Sequence, residues 1–131
     1  MNPICDLKAR TKQFALAIIR LCRTLPRTDE ARILGKQLLR SGTSVGANYR
    51  AACRARSKAE FIAKLGIVLE ESDESVFWLE LLVEANVGSS ERVQPLVKEA
   101  DELTSIFVTS LCTAKHVVRH EAESSGARPS S

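Results

Sequence analysis

Proline is scarce in this chain: there are four in 131 residues, and none between Pro26 and Pro95. Asn-Gly and Asp-Gly pairs are absent, and no stretch alternates apolar and polar residues as a half-buried strand does. Together these absences exclude a hairpin-rich β fold and leave an all-helical composition. No apolar run reaches the ~18 residues of a membrane span. Cys5, Cys22, Cys53 and Cys112 lie far apart and form no CxxC pair, so paired zinc-ligand spacing is missing. Met1-Asn2-Pro3 leads almost directly into a helical pattern, with no signal-peptide pattern before the cysteines. The expectation is a cytoplasmic protein with reduced thiols, Cys22 and Cys53 acting as small core residues.

What the chain does have is uneven charge. Its total is only +3, but residues 1–64 hold fourteen Lys/Arg against four Asp/Glu, and residues 65–131 hold five against twelve. Such asymmetry points to an acidic partner such as nucleic acid, or to self-association of unlike faces. Mutual neutralisation of the two halves inside one bundle explains it equally well.

Four amphipathic segments follow one another. Leu7, Thr11, Phe14, Ile18, Leu21 and Leu25 recur at spacings of four and three, with Lys8, Lys12, Arg20 and Arg23 off that seam. Pro26 ends this first helix, because the residue before a proline avoids the α region. Thr28 is placed to cap a second helix, with Asp29 and Glu30 favoured by its N-terminal dipole. In that helix Leu34, Leu38, Ser41, Val45, Asn48 and Ala52 form the seam, and Gly35, Gly42 and Gly46 form a second line. Each glycine costs a helix about 1 kcal/mol against alanine. They mark either close packing or a break at Ser41-Gly42-Thr43-Ser44, and the apolar period continuing in phase on both sides favours packing. Ser57 and Glu60 fit a capping box for a third helix, from about Lys58 to Ala85. Gly88 or Asn86 suits its left-handed end. A fourth helix starts at Ser89 or Ser90, with the regular part expected near Arg92, because Pro95 is tolerated only in a first turn. The expected fold is an all-α, up-down-up-down four-helix bundle over residues 1–119, with a disordered tail over 120–131.

Catalytic chemistry finds little support. Glu70, Glu71, Asp73 and Glu74 have no histidine near them, whereas di-metal bundles need inward Glu-x-x-His motifs from several helices. His116 and His120 have ligand spacing but lack the glutamate of a zincin. Gly42-Thr43-Ser44-Val45-Gly46 lacks the lysine of a phosphate loop. No catalytic residue, metal or cofactor is assigned. Asn48, at a seam position, reads as a register-fixing buried amide or, alternatively, a nucleic-acid contact.

The candidate binding residues lie on the second helix and the turn after it. Lys36, Arg40, Arg50 and Arg54 share one stripe without an acidic residue among them, joined by Arg56 and Lys58. They are expected to hold nucleic-acid phosphates, with Tyr49 stacking on unpaired bases. A solvated basic face with Tyr49 in an interface is the plainer alternative. On the third helix Phe77, Trp78 and Leu81 lie beyond the arc that one bundle needs, which implies burial by another chain.

The strings RTKQFALAIIRLCRTLP and EARILGKQLLRSGTSVGANYRAACRARSKAEFIAKLGIVLEESDESVFWLELL carry a likeness. Their most specific parts are Leu39 through Asn48, and Glu71-Ser72-Asp73-Glu74 followed by Phe77-Trp78-Leu79. The chain resembles, over about residues 5–115, the bacterial four-helix-bundle proteins encoded in intervening sequences of 23S ribosomal RNA genes. It is similar also to the accessory variability determinant of diversity-generating retroelements, which works with a reverse transcriptase. The resemblance implies a ring-like homopentamer that binds RNA or DNA through basic surface without catalysis. The alternative function is a protein-interaction module recruiting a partner such as a reverse transcriptase. The resemblance supplies no catalytic or ligand residues to carry over.

Overall fold

The computed structural model describes the backbone of residues 3–126 and side chains from Leu7 onward. It contains four α-helices in sequence: α1 (Pro3–Thr24), α2 (Asp29–Cys53), α3 (Lys58–Glu84) and α4 (Ser90–Ser124). Each helix packs against the next, and α1 meets α4 over a shorter stretch. The result is the up-down bundle that four in-phase seams dictate. Its core joins Phe14, Ile18 and Leu21 of α1, Leu38, Val45 and Tyr49 of α2, Leu65, Val68 and Leu79 of α3, and Ala100, Leu103 and Phe107 of α4.

The caps explain where the helices start and stop. Thr28 Oγ1 accepts a hydrogen bond from the Ala31 amide at 3.3 Å, and Ser57 Oγ accepts from Glu60 at 3.1 Å. Glu60 reaches back one residue further than a capping box requires, its carboxylate accepting from the Arg56 amide at 3.1 Å. At the end of α3 both Asn86 and Gly88 adopt positive φ. The Val87 amide bonds the Leu82 carbonyl and the Asn86 amide bonds Val83, which closes the helix in a Schellman turn.

α4 begins at Ser90, one of the two expected positions, but is regular from there rather than from near Arg92, with Pro95 inside it and no side-chain cap from Ser89. The one backbone bond that Pro95 removes belongs to the Glu91 carbonyl, in an exposed turn. The helix also continues through His120 and Glu121 to Ser124, where a disordered tail was expected. Lys58, at the start of α3, forms an ion pair with Glu121 and ties that extension to the bundle. The remainder of the tail, 127–131, lies outside the described residues, as does the side chain of Cys5.

α2 is unbroken across Ser41-Gly42-Thr43-Ser44. Its glycines are packing devices: a Cβ on Gly42 would lie 2.9 Å from Ile18 Cγ1, and one on Gly46 would lie 3.3 Å from the Thr11 carbonyl oxygen. These close approaches fix how α1 lies on α2. On the other side of α2 a layer of hydroxyls crosses the core. Ser75 donates to Ser41 at 3.0 Å, and Ser72 pairs with Thr104 at 2.8 Å. Every buried polar side-chain atom among the described residues has a partner, so these hydroxyls specify register without an unsatisfied group. Asn48 has no such interhelical role: its amide donates to the Ser44 carbonyl of its own helix at 2.9 Å.

Candidate nucleic-acid interface

The basic stripe of α2 divides between two grooves. A helical residue turns about 100° from its neighbour, so Arg40 and Arg50 fall on opposite edges of the stripe. Arg40 leans toward α3, where it pairs with Glu71 at 3.2 Å and with Glu74. Trp78 Nε1 donates to the same Glu74 carboxylate at 3.1 Å. The charge of Arg40 is therefore cancelled by α3, although its own helix offers no acid nearby. Lys58 is likewise engaged, by Glu121.

Arg50 and Arg54 lean toward α1. Together with Lys8 and Lys12 they rim a groove of about 600 Å³, whose floor is Ala9, Ala15, Thr43, Gly46 and Ala47. None of these four cations has an ion-pair partner among the described residues. Lys8 and Lys12 were visible in the sequence only as charges off the α1 seam. What brings them to Arg50 and Arg54 is the contact of Gly46 with Thr11, which sets α1 against this part of α2. Lys36 stands apart, at the other end of α2 in a depression with Leu25, Pro26 and Arg27. Arg56 is exposed at the α2–α3 turn, beside Ser57 and Phe61.

Tyr49 is not available for base stacking. It is 4% exposed, and its ring packs against Phe107 of α4 with centroids 5.6 Å apart. The seam of α2 passes through Val45, Tyr49 and Ala52, one residue away from the register that would place Asn48 in the core.

The candidate association surface lies on α3. Phe77 is 52% exposed and meets Trp78 edge-on, with ring centroids 5.0 Å apart. Trp78 and Leu81 are half-buried, so the apolar excess narrows to Phe77 with the rims of its two neighbours. Across the bundle, Arg10 of α1 holds α4 by a forked pair with Glu99, at 2.9 and 2.6 Å, and a contact to Glu102 at 2.7 Å. These hydrogen bonds to Glu99, and its charge, hold the Arg10 guanidinium more firmly protonated than usual.

Cys22 donates weakly to the Gly35 carbonyl at 3.5 Å, and burial pushes its thiol pKa up. Its inert, half-buried setting matches a packing role. His116 and His120 stack at 6.4 Å on exposed turns of α4. Among the described residues no group of three or more His, Cys, Asp or Glu side chains is placed to hold a metal, and no helix is long and apolar enough to cross a membrane.

Fold and groove thus define a small up-down helical bundle whose most distinctive surface is a cation-rimmed, small-floored channel between its first two helices. The chain belongs to the family of 23S rRNA-intervening sequence proteins, whose family model matches residues 5–109. It is also similar to a crystal structure from Bacteroides thetaiotaomicron, described as a protein of unknown function from the S23 ribosomal protein family. The two share 35% identity at a TM-score of 0.74, over 80% of this chain and 97% of that one. No curated protein matches this chain.

Proposed function

We propose that this protein is a non-enzymatic accessory protein that binds RNA or DNA by its phosphates, in the groove between α1 and α2. The observation that carries this reading is the convergence of Lys8, Lys12, Arg50 and Arg54, all without ion-pair partners among the described residues, on one concave surface. Such clustered cations repel one another and gain by neutralising phosphates, which releases the counterions condensed on the nucleic acid. Arg56 adds positive charge just beyond Arg54, whereas Lys36, at the other end of α2, lies outside the groove; Tyr49 and Arg40 have no part in it.

The protein acts as a homo-oligomer, in a ring of copies joined through the Phe77–Trp78–Leu81 surface of α3. An exposed phenylalanine beside a half-buried tryptophan supports this, and repetition of the groove would raise avidity through effective concentration.

Fluorescence anisotropy with RNA and DNA over a salt series tests the function. Four neutralised phosphates give a slope near −3 in log affinity against log salt, or a loss of about 50-fold for a fourfold rise in salt. Changing Lys8, Lys12, Arg50 and Arg54 to Gln should bring the slope close to zero with helicity intact. If affinity and slope are unchanged, the groove is not the site. If the variant instead fails to retain an acidic protein partner that the parent retains, and neither binds nucleic acid, the protein is an interaction module.

A further inference from the structure

We infer that the ligand of the α1/α2 groove is single-stranded nucleic acid, held backbone-inward with its bases turned to solvent. This rests on the nucleic-acid reading above and adds the class of strand.

The first reason is the placement of the cations. Lys8 and Lys12 are four residues apart on α1; Arg50 is in the last turn of α2, and Arg54, four positions on, is its C-cap residue. At 1.5 Å per residue each pair is separated by roughly 6 Å along its helix, close to the step between neighbouring phosphates of one strand. Both pairs rim the same groove, so one strand lying along it meets a cation pair on each side.

Shape supplies the second reason. Helices in contact stand roughly 8–10 Å apart, and the missing side chain of Gly46, against the Thr11 backbone, keeps this pair close. The floor is alanine, glycine and threonine. A single strand fits into such a channel. A duplex presents its phosphates on a wide, rigid convex cylinder, which touches the rims and leaves the floor empty.

The third reason is what the floor lacks. Among the described residues no aromatic side chain lines the groove, and Tyr49 is turned into the core against Phe107. Base stacking, the usual second grip of single-strand binders, is missing, so the bases need not enter. Thr43 is the one floor side chain with a hydroxyl, and it donates to the Leu39 carbonyl at 2.7 Å. With that proton committed, no floor side chain among the described residues is left to donate to a ribose 2′-hydroxyl. RNA and DNA single strands should bind alike, and base composition should matter little.

The test separates this inference from the reading beneath it. Labelled oligo-U, oligo-dT and a mixed duplex, each about 16 nucleotides long, are titrated against the full chain. Three proteins are compared: the parent, the Gln variant of all four cations, and Ala9→Leu/Ala47→Leu, which fills the floor at two exposed positions without touching a charge. The expected result is single strands at least about tenfold tighter than duplex, with oligo-U and oligo-dT within about twofold of each other. The filled groove should lose about tenfold for single strands and leave duplex binding unchanged. Ala9→Gln/Ala47→Gln repeats the filling should the leucines cause aggregation. Equal affinity of the parent for duplex and single strand overturns the inference, as does a filled groove that binds single strands normally; in both cases the four-cation variant still tests the function alone. If that variant binds as the parent does, both readings fall. A change of mass in the filled variant by light scattering would make the groove an interface between copies, and would also overturn the inference.

Discussion

Arg40 and Arg50 sit on the same face of one helix, ten residues apart, yet they belong to different environments. On the α3 side of α2, Arg40 is met by Glu71 and Glu74, and Trp78 completes a polar cluster around the same carboxylate. On the α1 side, Arg50 and Arg54 face Lys8 and Lys12 across small residues, with no acid among the described neighbours to answer them. The first arrangement is self-contained: every charge in it has a partner inside the bundle. The second is an unfinished electrostatic arrangement that an external anion would complete. A stripe of like charges read along one helix therefore says little about function until the neighbouring helices are known.

The glycines of α2 set how tightly the α1 side is built, and the largest expected effect tests that. Gly42→Val places methyl groups where a Cβ alone would already lie 2.9 Å from Ile18. Ile18 is fully buried and has nowhere to go. Overpacking of this kind costs about 1–3 kcal/mol, which urea unfolding should register as a lower midpoint. An unchanged midpoint would mean that α1 and α2 are loosely associated, and the groove between them would lose its defined shape.

A glycine away from this contact gives the opposite sign. Gly66 lies inside α3, and a Cβ there meets nothing within 4 Å. Gly66→Ala should therefore raise stability by about 1 kcal/mol, from helix propensity alone. Should both substitutions destabilise to a similar degree, the contrast between packed and unpacked glycines is wrong.

A smaller effect addresses the charges directly. Arg50→Gln should weaken single-strand binding about threefold near physiological salt and reduce the salt slope by about 0.7, the share of one phosphate. Arg40→Gln should leave both unchanged, because Glu71 and Glu74 already neutralise that position. Equal losses from the two substitutions would erase the distinction between the grooves.

Much of this architecture was readable from the chain alone. Leu38, Ser41, Val45 and Ala52 are all buried where the four-and-three spacing placed them, and Thr28 and Ser57 cap as their chemistry required. The burial of Tyr49 is not decided by spacing, because two registers, through Asn48 or through Tyr49, satisfy it equally; the larger apolar surface of tyrosine decides in favour of its burial. The ion pairs of Arg40 are hidden from the sequence for a different reason. Its partners are 31 and 34 residues away on α3, outside any window of local charge. Lys8 and Lys12 joined the site for the converse reason: only the docking of α1, through Gly42 and Gly46, brings them opposite Arg50 and Arg54. Periodicity yields the seams of single helices, whereas a site made between helices depends on their relative register.

The smallest expected effect asks what the Arg40 cluster is worth to the fold. Arg40 remains 49% exposed, and Glu74 33%. Exposed pairs of this kind gain modest Coulomb energy against strong solvation and lose side-chain entropy, for a typical net of about 0.2–1 kcal/mol. Arg40→Gln should thus lower stability by no more than that, and the difference should shrink as salt screens the pair. Trp78 gives a second readout, because its indole nitrogen shares the Glu74 carboxylate with Arg40. Releasing Glu74 from Arg40 should shift the Trp78 fluorescence, since this is the one tryptophan of the chain. A shift in emission with little change in unfolding energy would show that the cluster orders the α2–α3 surface without holding the bundle together. A loss well above 1 kcal/mol, insensitive to salt, would mean that the pair is effectively buried, as it would be if a second copy of the chain covered the Phe77 surface next to it.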